Sequence, residues 1–493
     1  MALKFITAQE AAEFINNGDT IAFSGFTPAG AAKAVPTAIA ERIKGLHENG
    51  VDFKINVITG ASTGPSLDGA LAKADAIGWR TPYQSNSDLR KKVNAGNIKF
   101  FDQHLSYTSQ FMRYGFLGKI NYAVIEACDI TEDGVIIPTT SCGTIATGCH
   151  LADQIIVELN AKHPKTLRGI HDIIVPSVPP HRRTIPINKP NDRCGDDHIK
   201  VDPAKIIGIV NTDLHDEVSP FTPADPLTSK IGANVIKFLL NELRVGRIPK
   251  EFLPVQSGVG NIANAVLGTL VTNKEIPNFT MYTEVVQNSV IDLIREGRVT
   301  FASACALTLT PDCLEEVYSD LHFFKTKLIL RPQEISNNSG IARRLGVIAM
   351  NTAIEMDIFG NVNSTHITGT DMMNGIGGSG DFSRNSYISI FSAPSVAKNG
   401  NISAIVPMCS HTDHTEHDTM IFITENGIAD LRCLSPIDKA KKIIENCAHE
   451  DYKEILWDYL KLSEGKHTPH TLSKAFNMHV EFLDSGDMRN TKF

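Results

Sequence analysis

Long basic runs, long apolar runs and paired cysteines are all missing from this 493-residue sequence. Lys and Arg number 47 against 55 Asp and Glu, a formal net charge of −8 with no basic cluster. That balance argues against nucleic acid or an anionic membrane surface as the main partner. No run of about 18 apolar residues exists, so no spanning helix is expected. The nine cysteines, at 128, 142, 149, 194, 305, 313, 409, 433 and 447, are scattered, odd in number and never spaced C-x-x-C. Such spacing fits reduced thiols better than a disulfide framework or a zinc site. The N-terminal "MALKFITAQEAAEFINNGD" carries Glu10 and Glu13 where a secretory signal needs an apolar core, and it is not the Arg-rich pattern of a transit peptide. The expected location is cytoplasmic.

What is present is an ordinary globular composition, 42% hydrophobic and 21% charged, with length for two to four domains. Short apolar runs alternate with helical patterns. "DTIAFSG" leads to "AAKAVPTAIAERIKG", "FLPVQSG" to "NIANAVLGTLV", and "MYTE" to a helix beginning at "VVQNS" and closed by Gly297. This rhythm predicts an α/β protein with largely parallel sheets, whose ligands collect at the C-terminal ends of strands. "NYAVIEACDITEDGVIIPTTSCGT" (121–144) is echoed by "NTAIEMDIFGNVNSTHITGT" (351–370). The echo indicates two similar α/β halves, with a boundary in the proline-punctuated "SPFTPADPLTSKIGANV". We place the halves at 1–222 and 223–493, the second carrying Glu284. The five-proline loop "VPSVPPHRRTIPINKPNDRCGDD" is expected on the surface of the first half.

Four stretches carry possible chemistry. "QSGVGNIANAV" has Gly258-x-Gly260-x-x-Ala263 between a strand and a helix, and Glu284 follows where a ribose-binding acid would fall in a dinucleotide fold. This leaves an NAD-dependent oxidoreductase open, although glycines serve tight strand–helix turns generally. "SGFTPAG" (24–30) has P-loop-like spacing, but Ala31 and Ala32 replace the Lys and Ser/Thr of a nucleoside triphosphate site. "HTDHTEHD" sets His411, His414 and His417 among acids; it lacks the H-E-x-x-H pattern, and a solvated or structural loop is preferred to a metal site. "NGIGGSGDF" gathers four glycines in 375–380 between Asn374 and Asp381, exposing backbone N–H groups to an anion or oxyanion. Glu284 by itself reads as a helix N-terminal acid worth under about 1 kcal/mol.

The motifs "GVGNIANAV", "YTEVVQ", "NSTHITGTDMMNGIGGSGDF", "VPMCSHTDHTEHD" and "TENGIADLR" together resemble the acetyl-CoA hydrolase/transferase family. The resemblance is greatest to its succinyl-CoA:acetate and propionyl-CoA:succinate CoA-transferases, and it is densest from Leu253 to Arg432. It implies two open α/β domains of the CoA-transferase fold with the active site between them. It also implies that Glu284 is a nucleophile forming an acyl-glutamyl anhydride and then a glutamyl-CoA thioester. By the same resemblance Val259, Gly260, Asn261, Ile262 and Ala263 form a CoA-binding turn, and Asn374, Gly378 and Lys398 contact CoA. The Gly378 N–H and the Asn337 amide stabilise the oxyanion, with Asn338 beside Asn337 as the competing match. No metal and no permanently bound cofactor are implied; acyl-CoA and a carboxylate are the substrates, and a homodimer is expected. A hydrolase differs only in letting water resolve the thioester.

Overall fold

The computed structural model describes residues 3–219, 225–258 and 260–493. Contacts group the chain into two compact units. The first holds 1–220, 280–345 and 374–381, and the second holds 221–279, 346–373 and 382–493. These units do not coincide with a single cut at 222/223. The stretches 280–345 and 374–381 pack with the N-terminal residues, so Glu284 falls in the first unit and not, as expected, with the rest of the second half. Part of the proposed boundary segment, 220–224, lies outside the described residues.

In the first unit seven strands run parallel in the order Lys99–Phe100, Ile77–Thr81, Ile55–Ile58, Thr20–Phe23, Tyr122–Ile130, Gln154–Asn160 and Ile206–Thr212. Ile21 sits opposite Val57 on one side and Tyr122 on the other. The central strands are apolar on both faces, as a parallel sheet covered by helices requires. The helix Ala34–Glu48 lays Val35, Ala38, Ile39 and Ile43 on Ile21, Phe23, Ile55 and Val57. Phe279–Tyr282, Val299–Ala304 and Leu328–Leu330 form a further neighbouring set. The proline-rich segment is largely exposed coil, as expected.

The second unit has its own parallel run, Val255–Ser257, Ile348–Thr352, Ile388–Ser392 and Ile421–Ile423, edged by antiparallel Ile428–Asp430. Helices Pro436–Cys447 and Glu450–Lys461 cover a core that includes Phe391, Phe422, Ile443 and Tyr459. The sequence echo has a structural counterpart. Tyr122–Ile130 turns back as antiparallel Val135–Pro138, and Glu355–Asp357 turns back as antiparallel Val362–Asn363. Gly134 (φ +82°) and Gly360 (φ +101°) take the left-handed turn in each copy. Among the described residues no helix is long and apolar enough to cross a membrane.

Candidate active site

Glu284 follows the strand Phe279–Tyr282 in a sharp bend. Its neighbour Thr283 donates its N–H to Ser303 O (2.9 Å), and the Glu284 carbonyl accepts from Cys305 N (2.8 Å) and Ala306 N (3.1 Å). The chain does not then become a helix at Val285. Val285 and Val286 pair in parallel with Ala306 and Leu307, and the helix begins at Asn288. Two adjacent β-branched residues suit that short strand better than a helical turn. The helix-dipole reading of Glu284 therefore fails, since the acid precedes the helix by four residues. Gly297 does close that helix, at φ +72°.

The side chain of Asn337 reaches this bend. Asn337 is buried at the end of the helix Gln333–Ser336, and its Nδ2 donates to Glu284 Oε1 at 2.8 Å. Ser336 Oγ donates to Asn337 Oδ1 (2.8 Å), which turns the NH₂ toward the carboxylate. Asn338 does something else. Its Oδ1 accepts from Ile341 N (3.1 Å) and caps the helix Ser339–Leu345. Of the two neighbouring asparagines, only Asn337 faces Glu284.

Gly378 closes the third side. A Cβ there would stand 2.1 Å from Glu284 Oε1 and 2.2 Å from Asn337 Nδ2, so any larger residue collides with both. Its backbone is not in the left-handed region; space alone demands glycine. The rest of the loop is tied down by N-terminal residues. Ile376 N donates to Asp102 Oδ2 (2.6 Å), and a Cβ on Gly380 would meet His104 at 2.3 Å. Ser106 donates through its N–H to Asp381 Oδ2 (3.1 Å) and through its hydroxyl to Asp381 Oδ1 (2.5 Å). Asn374, at the loop's entry, folds its amide onto Gly375 O (2.9 Å).

Electrostatics set Glu284 apart. Burial pushes its carboxyl up, the Asn337 hydrogen bond only partly offsets this, and the group is held at about 7. Asp381 is also at about 7: burial raises it, the Ser106 bonds lower it, and the nearby Glu284 charge raises it again. The Tyr83 hydroxyl is driven above its ordinary value by burial, then by Glu284 and Asp102. An apolar cluster of Phe26, Ala29, Ala61, Leu105, Val285, Cys305 and Ala306, with Tyr83 against it, supplies the dry surroundings. Phe26 and Ala29 come from the "SGFTPAG" stretch, which thus contributes a wall and no phosphate cradle.

The other predicted positions are spread differently. Val259 lies outside the described residues. Gly260 (φ +116°) leads directly into the helix Asn261–Thr272, which also carries Ile262 and Ala263. Lys398 stands at φ +48° in a tight turn with its Nζ 5.0 Å over the Phe482 ring. Gly260 to Ala263 and Lys398 belong to the second unit, whereas Glu284, Asn337, Asn374 and Gly378 belong to the first. The histidine loop is knitted into structure. Asp413 accepts from Ser364 N (2.7 Å) and Thr365 Oγ1 (2.8 Å), His414 is buried against Phe391, and His411 stacks on His366. Among the described residues the acid–histidine group that comes close enough to hold an ion is Glu126, His163 and Asp216. There Lys33 Nζ already sits 2.5 Å from Glu126 and 3.3 Å from Asp216.

Sequence reasoning missed Tyr83, Asp102, His104 and Ser106. They lie in "TPYQS" and "FDQHLS", short polar-aromatic stretches after strands, where only their strand-end position hinted at a site.

The chain is similar to known proteins over nearly its whole length. Acetyl-CoA hydrolase/transferase family models match residues 2–211 (N-terminal domain) and 314–460 (C-terminal domain). Propanoyl-CoA:succinate CoA transferase of Escherichia coli strain K12 is 49% identical over 483 residues, 98% of each chain. Succinyl-CoA:acetate CoA-transferase of Clostridium kluyveri is 49% identical over 489 residues, covering 99% of this chain and 90% of that one. Acetyl-CoA hydrolase of Saccharomyces cerevisiae is 41% identical over 500 residues, 98% and 94% of the two chains. Among solved structures, RipA from Yersinia pestis superposes with TM-score 0.70 at 19% identity, over 94% of this chain and 97% of that one. A 4-hydroxybutyrate CoA-transferase from Porphyromonas gingivalis gives 0.63 at 18%, over 93% and 97%. The solved structures show the shared two-domain CoA-transferase fold; the sequence relatives and domain matches show that the chain belongs to the acetyl-CoA hydrolase/transferase family.

Proposed function

We propose that this chain is a CoA-transferase that moves CoA between a short-chain acyl-CoA, such as acetyl-, propionyl- or succinyl-CoA, and a carboxylate such as acetate or succinate. A Glu284 oxygen attacks the thioester carbonyl, the C–S bond breaks, and CoA leaves as the thiolate from an acyl-glutamyl anhydride. The thiolate then attacks the glutamyl carbonyl and expels the free carboxylate, leaving glutamyl-CoA. An incoming carboxylate reverses both steps and carries the CoA away. Each attack places negative charge on a carbonyl oxygen, and the Gly378 N–H and the Asn337 amide are its donors. A carboxylate nucleophile suits the task because anhydride and thioester lie close in energy, so neither intermediate traps the enzyme. Val259, Gly260 and the helix residues Asn261, Ile262 and Ala263, with Asn374 and Lys398, hold CoA. A cytoplasmic homodimer completes the proposal.

The observation that carries this reading is the convergence on one carboxylate oxygen. Asn337 Nδ2 lies 2.8 Å from Glu284 Oε1, and Gly378 comes so near that a Cβ would overlap it. A helix-cap acid needs neither. Family membership displaces the dinucleotide reading of Gly258 and Gly260. The hydrolase reading keeps the same glutamate and is supported by the 41% identity to the yeast acetyl-CoA hydrolase. One panel separates the two: acyl-CoA with and without candidate carboxylates, quantifying new acyl-CoA and free CoA together. A transferase makes new acyl-CoA in step with the acceptor; a hydrolase releases CoA without one.

A further inference from the structure

Both donors beside Glu284 rest on one helix. Leu105–Arg113 accepts Gln333 Nε2 at Leu105 O (2.9 Å), and its Arg113 pairs with Glu334 at 2.6 Å. Gln333 and Glu334 begin the short helix that ends at Asn337, so this side fixes the amide. The same helix fixes the glycine. Ser106, its second residue, gives both its N–H and its hydroxyl to the two oxygens of Asp381, three residues beyond Gly378. Ser106 and Asp381 are each 4% exposed. The Asn337 side chain also helps to lower the Asp381 carboxyl, so the two supports meet.

From this geometry we infer that Ser106 and Asp381 form a clamp that sets the spacing between the Gly378 N–H and the Asn337 amide, acting as positioning residues for the oxyanion site. The inference rests on the reaction proposed at Glu284. A plain structural anchor at this spot would be cheaper as a neutral amide, because a buried carboxylate whose partners are neutral groups such as the Ser106 hydroxyl and N–H costs stability. Such costs collect where geometry serves chemistry. Each works through the position of another group: Asp381 through the Gly378 loop and Ser106 through Asp381. A displacement of about 1 Å between oriented groups is enough to cost on the order of 100-fold in rate.

The test uses the full chain with purified Ser106→Ala, Asp381→Asn, Asn337→Ala, Glu284→Gln and the double variant Ser106→Ala/Asn337→Ala. Transfer kinetics are measured with one acyl-CoA and one carboxylate, and each protein is checked by thermal melt. Ser106→Ala keeps the backbone donor and should remain folded even where Asp381→Asn does not. It should lower kcat about 10- to 100-fold, with KM for acyl-CoA changing less than about threefold. The double variant should lose less than the product of the two single losses, because the clamp can no longer act through Asn337 and acts through Gly378 alone. Losses that multiply, a loss confined to KM, or wild-type kcat in Ser106→Ala would each overturn the clamp. If Glu284→Gln stays active, the reaction at Glu284 falls instead; if Glu284→Gln is dead while Ser106→Ala is normal, only the clamp falls.

Discussion

Glu126 and Glu284 lie in the same compact unit, and burial pushes both carboxyls up. Their partners then part them. Glu126 accepts from Thr139 Oγ1 and Asn160 Nδ2, both at 2.8 Å, and faces the Lys33 ammonium and the His163 ring. Those cations outweigh burial and hold Glu126 well below the usual carboxylate range. Glu284 has the Asn337 amide against burial and stays at about 7. Glu355, the counterpart of Glu126 in the sequence echo of the second unit, behaves like it and pairs with His479 at 2.9 Å. A carboxylate satisfied by cations is a poor nucleophile and a good strut. One left dry with a single neutral donor is costly to ionise and therefore reactive once ionised.

The sharpest way to break the contrast is to neutralise each acid's special feature. Glu284→Gln should abolish transfer altogether. Retention of more than about a tenth of kcat would mean under about 1.4 kcal/mol of barrier is involved and the nucleophile lies elsewhere. The same change should stabilise the fold in alkaline buffer. The folded-state value near 7 lies above the ordinary 4.5, so the fold favours the protonated acid. That stability is complete below pH 4.5 and is lost as the pH rises through 7. In denaturant melts Glu284→Gln should gain about 1–3 kcal/mol near pH 8 and nothing near pH 4.

Removing a donor has the next largest effect. Asn337→Ala should lower kcat by about 10²–10³, the usual worth of one oxyanion donor of about 2.7–4 kcal/mol, with little change in KM. Asn338→Ala should leave kcat alone and cost about 1 kcal/mol of stability through its lost helix cap. Steady-state kinetics on the pair checks both; a damaged kcat in Asn338→Ala would reverse their roles.

Lys33→Met acts on the other glutamate. It strands Glu126 and Asp216 in the core, so the expected loss is about 3–5 kcal/mol of stability. Measured by chemical denaturation, that loss should exceed the effect of Glu284→Gln and have the opposite sign at pH 8. The smallest effect is a pH dependence. Attack needs ionised Glu284, so kcat/KM for acyl-CoA should fall roughly tenfold per unit below pH 7 and level off above it. A limb near pH 4.5 would place the reactive carboxylate in water.

Much of this was legible in the sequence where pattern and chemistry coincide. Strand-to-helix steps such as Thr20–Phe23 into Ala34–Glu48 follow from periodicity and glycine placement. The glycine loop announced a close backbone approach, which Gly378 makes. Local reading failed at Val285–Val286, where pairing with Ala306–Leu307 overrode the helical continuation. Contacts such as Ser106 with Asp381, 275 residues apart, leave no local trace. The division into units was hidden for the same reason: 280–345 returns to the first unit across the chain.

The most direct measurement is the mass of the intact protein after incubation with acyl-CoA and no carboxylate acceptor. The predicted result is one CoA joined per chain, mapped by peptide analysis to Glu284, absent from Glu284→Gln and discharged by adding a carboxylate. Turnover to new acyl-CoA without any such adduct, or an adduct on another residue, would contradict a glutamyl-CoA intermediate at Glu284.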